Sequence, residues 1–313
     1  MKAAFLGNFS PHSSETHHAL SLESLGHSVV RLQEGRTTGE QFLDTALASD
    51  LAIVVHTHGW STPGLALDKV LLCLKGAGIP TVTYHLDLWL GLKRQRDLDN
   101  DPFYRTIGHF FTADRLMADW FNSNTNVKGH FLPAGVYDGE CYASDQTSEH
   151  ANDVIFVGSR RYHDEWPWRP RLLDWLRATY GSRFTHVGGD GDTGTIRGDE
   201  LNRVYAGSKV AVGDTLCLNF DYPDYASDRL WECAGRFGAQ VFPRIAGLDQ
   251  WFKDGEHLLY FNFGDFGDLR SKIDWMLEHD SEREHIRRAG HEMVKTTGTY
   301  RHRWETILST VFA

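Results

Sequence analysis

Residues 224–238 read DYASDRLWECAGRFG, a polar entry that turns into a short helix with an acid set among apolar and small residues. Leu230, Trp231, Cys233, Ala234 and Phe237 supply the packed stripe, Glu232 lies near the helix start, and Gly238 hands over to the apolar run Ala239–Phe242. A helix feeding an apolar strand is the repeating unit of a parallel α/β sheet. Ligands of such sheets collect at the carboxyl ends of the strands, so Glu232 is a candidate for gripping the ribose hydroxyls of a nucleotide. The competing reading is a partly exposed acid that merely favours the helix dipole.

Outward from this stretch the same alternation fills the chain. In the N-terminal half, apolar strands are expected at Lys2–Gly7, Ser28–Leu32, Leu51–Val55, Ile79–Tyr84 and Gly108–Thr112. Helices are expected over Glu15–Leu25, Glu40–Ala48 and Leu65–Lys75, with an amphipathic one running to Phe121; Gly26 and Gly76 supply stop signals. The run GECYASDQTSEHAND, Gly139–Asp153, is polar and without period, and reads as an interdomain linker. A second series follows: strands at Val154–Val157, Phe184–Val187 and Lys209–Val212, and helices at Arg169–Tyr180 and Glu200–Ala206. Three helices close it, Gly267–Glu278, Ser281–Lys295 and Tyr300–Val311. The fold class is therefore α/β, with two Rossmann-like domains in tandem and ligands expected in the cleft between their facing loop ends.

Composition narrows the function classes. The chain has 313 residues, long enough for two domains with cores of their own, with 41% hydrophobic and 24% charged residues. No apolar run approaches a membrane span and MKAAFLGNFS lacks the apolar core of a signal peptide, which points to a cytoplasmic protein. Cys73, Cys141, Cys217 and Cys233 form no C-x-x-C pair and read as buried thiols. A net charge of −10 leans against a long polyanion as partner.

Three constellations carry chemistry. Gly158-Ser159-Arg160-Arg161 ends a strand, with Arg169 and Arg171 behind it, where backbone N–H groups and guanidinium forks can hold a diphosphate. The residues between, Tyr162–Trp168, are rich in polar and aromatic side chains and read as a flap over the cleft. Gly188-Gly189-Asp190-Gly191-Asp192 lacks the dinucleotide fingerprint spacing and has the D-x-D look of metal-dependent sugar transferases, but fits a turn near the nucleotide better. On the N-terminal side Asn8, His12, His56, His58, His85 and Asp87 follow three strands and can converge at one sheet edge. His85 or Asp87 could serve there as base or hydrogen-bond partner to an acceptor hydroxyl.

Phe156-Val157-Gly158, Asp228-Arg229-Leu230-Trp231-Glu232 leading to Ala234-Gly235 and Gly238, Trp251-Phe252 with Gly255-Glu256, and Thr299-Tyr300-Arg301 together resemble the group 1 glycosyltransferases of GT-B fold. The likeness is greatest to their spore-maturation-protein (CgeB-like) branch. It covers Val154 to the end and is weaker over the N-terminal half, where Leu132–Val136 looks like the family's entry to its linker. The resemblance implies an acceptor domain over 1–145, a nucleotide-sugar donor domain over 153–297, and a final helix over 298–313 that crosses back to the first domain. It implies ribose binding at Glu232 and sugar contact at Asp224, eight positions earlier, where the family usually has glutamate; Asp228 competes for that role. The family's arginine–lysine pair is incomplete, because five positions beyond Arg160 or Arg161 stand Glu165 and Trp166. Arg169 or Arg171 would substitute. Ile196-Arg197-Gly198 is where such folds hold the base, and Gly189 and Arg229 join the donor set.

The expected activity is hexosyl transfer from a nucleotide diphosphate sugar to a hydroxyl acceptor, retaining by likeness, with neither metal nor cofactor beyond the donor. The acceptor stays open among protein, glycan, metabolite and modified DNA. An epimerase or phosphorylase of the same architecture, or a silent nucleotide-sugar binder, are the alternatives.

Overall fold

A computed structural model describes residues 1–55, 62–145, 151–161, 165–215 and 222–313. The chain divides into two compact units, Met1–Pro133 with Tyr300–Ala313, and Ala134–Thr299.

The first unit holds strands β1 (Lys2–Gly7), β2 (Ser28–Gln33), β3 (Leu51–Val54), β4 (Thr81–His85), β5 (His109–Thr112) and β6 (Lys128–Phe131). They form one parallel sheet of order β2-β1-β3-β4-β5-β6. Successive side chains of a strand point to opposite faces, and here both faces are covered. Ala4 and Leu6 pack in one core with Phe42, Val70, Leu74 and Phe121. Ala3 and Phe5 pack in the other with Ala19, Leu22, Trp304 and Ile307. Helices α1 (Ser14–Ser24), α2 (Gly39–Leu47), α3 (Leu67–Gly76) and α6 (Arg115–Asn124) lie within two residues of expectation at their starts where one was set. Short helices α4 (Gln95–Asn100) and α5 (Phe103–Thr106), and strand β6, are additions.

The C-terminal helix Tyr300–Val311 belongs to this unit, and it is fastened there through a buried histidine. Trp304 donates its indole N–H to His18 Nδ1 at 3.2 Å, and the Tyr300 ring lies 4.0 Å from the His18 ring. Burial, with His17 adding, pushes His18 from 6.5 down to about 3. A histidine depressed on folding contributes stability that is complete above its unfolded pKa and drains away as pH falls toward the folded one. Between pH 6 and 4 His18 alone is expected to remove about 1.4 kcal/mol per pH unit. Denaturant unfolding measured against pH checks this: His18→Gln, whose amide oxygen still accepts from Trp304, should flatten the slope by one proton.

The second unit holds β7 (Asn152–Val157), β8 (Phe184–Val187), β9 (Ser208–Val212), β10 (Gln240–Pro243) and the additional β11 (Leu259–Phe261). Its sheet is parallel, of order β11-β10-β9-β7-β8. Helices α7 (Trp168–Tyr180), α8 (Gly198–Gly207), α9 (Asp228–Gly235), α10 (Phe266–Glu278) and α11 (Asp280–Thr297) connect and cover it. Strand order reverses between β7 and β9, which makes their carboxyl ends the switch point where such sheets bind ligands.

Where described, the polar run Gly139–Asp153 groups with this second unit. Glu140 explains it. Its carboxylate takes a charged hydrogen bond from buried Arg236, whose guanidinium also donates to the Gly198 carbonyl (3.2 Å) and to Asn202. Asn202 in turn donates to the carbonyls of Glu140 (2.8 Å) and Tyr142 (3.2 Å). The run is thus clasped onto α8 and α9. Cys141 and Cys233 are buried, with burial pushing the Cys141 thiol up to about 12. Cys73 is exposed instead, because α3 turns Leu71 and Leu74 inward, and Cys217 lies outside the described residues. No described helix is long and apolar enough to cross a membrane.

Candidate active site

At the switch point of the second unit β7 ends in Gly158, whose φ of +137° suits glycine alone. A Cβ added there would also meet Arg229 Nη2 at 2.7 Å, so the arginine lies directly over the strand end. Arg229 stands in the first turn of α9, with its guanidinium 5.7 Å from the Phe156 ring centre. Its Nη1 is buried and has no hydrogen-bond partner among the described residues. The N-cap position of α9, Ser227, makes no side-chain cap bond, and its Oγ is buried without a partner among the described residues. A guanidinium beside a helix N-terminus is an arrangement that favours anions.

Arg169, also 5.7 Å from the Phe156 ring centre, is spent. Only 2% exposed, it donates from Nε to Asp214 at 2.6 Å and from Nη1 to the Ser159 carbonyl at 3.2 Å. Burial pushes the Asp214 carboxyl up, against the pull of Arg169 and, further off, Arg229. Two guanidiniums thus face one carboxylate, and the surplus positive charge sits on Arg229. Sequence reasoning passed over Asp214; its signal was an acid two residues past an apolar strand. Arg160 donates from its backbone to Asp190 (2.9 Å) and from Nη2 to Asp174 (2.7 Å). The exposed Arg161 makes no side-chain bond among the described residues.

The D-x-D aspartates are both engaged. Asp190 caps the Arg160 N–H, and Asp192 accepts from the His186 N–H at 2.7 Å and from Arg177. Gly188 lets β8 approach β7, since a Cβ there would sit 2.4 Å from the Gly158 carbonyl. Gly189 faces Thr195, and Ile196 packs half-buried beside Leu201 and Val204 at the start of α8. The flap expected over Tyr162–Trp168 is corrected in part: Trp166 and Trp168 are core, packed on Phe263 and Phe266, because their ring area is worth more buried. Tyr162–Asp164 lie outside the described residues.

Glu232 falls in the second turn of α9, half-buried, and its carboxylate makes no hydrogen bond or ion pair among the described residues. Asp228 opens the same helix. Asp224 differs from both. It holds φ +65°, accepts from Gln250 Nε2 at 2.7 Å, and lies where a Cβ on Gly247 would meet its Oδ1 at 1.9 Å. Its carboxylate braces the 245–250 turn.

In the first unit a cavity of about 190 Å³ opens at the carboxyl ends of β1, β3 and β4, lined by Ser14, Glu15, His18, Tyr84, His85 and Asp87 among others. His85 is buried; Trp89 donates its indole N–H to His85 Nε2 at 3.1 Å and the Asp87 N–H approaches Nδ1 at 3.3 Å. Asp87 lies 3.6 Å from Arg94. Asn8 organises its own turn, accepting from the Ser13 hydroxyl and the Ser10 N–H. His12, at φ +62°, is exposed and meets His17 edge to face. His56 and His58 lie outside the described residues. Glu15 is the acid that sequence reasoning missed on this side: burial raises its pKa and the Asn8 backbone opposes. Its signal was an acid in the first turn after β1, beside the strand-order reversal.

Residues 161–309 match the Glycosyl transferase-like family model. That stretch is similar to the glycosyl transferase-like family. No curated protein sequence gives a match. Among solved structures, Anabaena HepE in complex with UDP and glucose superposes with a TM-score of 0.67 at 14% identity, covering 99% of this chain and 100% of that one. An alpha-glucosyltransferase bound to UDP and a DNA containing an HMU base gives 0.73 at 12% identity, over 100% and 99%. Sucrose-phosphate synthase of Thermosynechococcus elongatus gives 0.62 at 11%, over 99% of each chain. The architecture is GT-B, two parallel-sheet α/β units as expected. In the second unit the structure gathers Gly158, Arg229, Asp214 and Arg169 at one strand end, and keeps Asp224 for a turn.

Proposed function

We propose that the chain transfers a hexosyl group from a nucleotide diphosphate sugar, with UDP-glucose the first donor to try, to a hydroxyl acceptor. The Arg229 guanidinium over Gly158, whose buried Nη1 has no partner among the described residues, carries this reading. It is placed to take the charge that grows on a departing diphosphate, with Arg161 as second cation. The acceptor oxygen bonds to the anomeric carbon as that carbon's bond to the diphosphate oxygen breaks, and the hydroxyl proton leaves with the diphosphate. Glu232, whose carboxylate has no partner among the described residues, is assigned to the ribose hydroxyls. The Glu15, His85 and Asp87 pocket is assigned to the acceptor. Metal independence is supported by the D-x-D pair, whose carboxylates already hold N–H groups and Arg177. Retention of configuration and membership of the spore-maturation branch rest on the residues quoted for the resemblance.

The test is release of nucleotide diphosphate from a panel of sugar nucleotides, with and without EDTA. Release unchanged by EDTA is expected. Release abolished by EDTA overturns metal independence, binding without release makes the chain a binder, and neither with any donor overturns the proposal. Glu232→Gln should raise the donor KM at least tenfold with kcat nearly kept, since a hydrogen bond to a charged group is worth about 1.5–3 kcal/mol.

A further inference from the structure

The opposite edge of the first unit's sheet carries a second cavity. It opens where β4, β5 and β6 begin, at Thr81, His109 and Lys128, whereas His85 and Asp87 lie at or beyond the far end of β4. Its volume is about 310 Å³, near that of ten waters at about 30 Å³ each. Lys75, Arg105 and Lys128 line it, and no Asp or Glu does among the described residues. Lys75 and Lys128 make no ion pair among the described residues. Arg105 is held in place, donating to the Asn124 carbonyl at 3.2 Å and lying 5.5 Å over the Trp120 ring, with Asp99 3.5 Å away.

One wall is a neutral imidazole. His109 Nδ1 and His130 Nε2 share a hydrogen bond at 3.2 Å and their rings stack at 5.3 Å, so His109 is fixed in orientation. Burial, then Lys128 and His130, lower it to about 4. Lys128 acts on the ring, and the neutral imidazole can present one N–H without adding charge. Open α/β sheets hold their substrates at the other edge, so the donor and acceptor chemistry leaves this basin unexplained.

We infer that the Lys75–Arg105–Lys128 basin binds a compact phosphate-bearing anion, a site separate from the sugar-transfer chemistry. Three cations converging on a concave surface favour a multiply charged oxyanion over a single chloride or carboxylate. The concavity suits a small phosphorylated metabolite, and a nucleic acid backbone would need an extended basic track.

The probe is pyrophosphate titrated into the full chain, read on the imidazole C–H resonances of His109, which lines this cavity. A saturable shift is expected, with affinity at least tenfold weaker in Lys75→Gln/Lys128→Gln. Both lysines are exposed, so that variant should unfold like the parent. Arg229→Gln, in the other unit, should leave the His109 shift unchanged. Absence of a shift, an equal shift in the double variant, or an equal shift from sodium chloride at matched ionic strength would overturn the inference. So would a single-stranded oligonucleotide that shifts His109 at lower phosphate concentration than pyrophosphate does.

Discussion

Arg229→Gln should lower kcat/KM for the nucleotide-sugar donor by about 10²–10³-fold, the usual loss when one preorganised donor to a developing oxyanion is removed. The reasoning is electrostatic. Arg169 is tied to Asp214 and to the Ser159 carbonyl, and Arg160 to Asp174 and Asp190, so neither brings free charge to the strand end. Arg229 does, with a buried Nη1 that bonds to nothing described. Since that nitrogen makes no bond among the described residues, its removal should leave the unfolding midpoint within experimental scatter. Arg229→Lys should recover part of the rate, because a point charge replaces a fork. A variant with unaltered kcat/KM would remove Arg229 from the diphosphate and pass the role to Arg161.

The second large effect is on stability. Arg236→Ala should destabilise the second unit by about 3–5 kcal/mol, the range for breaking a buried pair and stranding its partner. Arg236 is 2% exposed and Glu140 6%, and the guanidinium also holds Asn202 and the Gly198 carbonyl at the start of α8. Calorimetry of the whole chain should show the transition of 134–299 move down while that of the first unit stays. Glu140→Gln/Arg236→Met should win back part of the loss, because no charge is then left buried alone. Equal destabilisation in the single and double variants would mean that packing, and not charge, sets the cost.

How much of this was legible in the residues follows from where the signals are local. Lys2–Gly7 and Tyr300–Val311 are read to the residue, because an apolar run or a helical stripe announces itself. β6, reading KGHF, and the three-residue β11 escape because edge strands are short and half polar, and what makes them strands is a neighbour distant in sequence. The same division runs through the site. The placement of Arg229 and Glu232 on one helix is visible in DRLWE. That Arg169 is neutralised is not, because its partner Asp214 stands 45 positions away. Asp224 shows the limit of spacing: eight residues before Glu232 is the right count, but its backbone at φ +65° and its bond to Gln250 depend on the 245–250 turn.

The helix that seals the first unit is encoded after the whole of the second. Trp304 and Ile307 complete a core that otherwise consists of residues 1–133. On the ribosome the first unit is therefore made before the helix that completes its core. It waits, with Phe5, Ala19 and Leu22 uncovered, while 134–299 is made, on the order of ten seconds at about 5–20 residues per second. The unit translated first is completed last, and a pause or truncation downstream of residue 299 should leave its core open to chaperones and proteases.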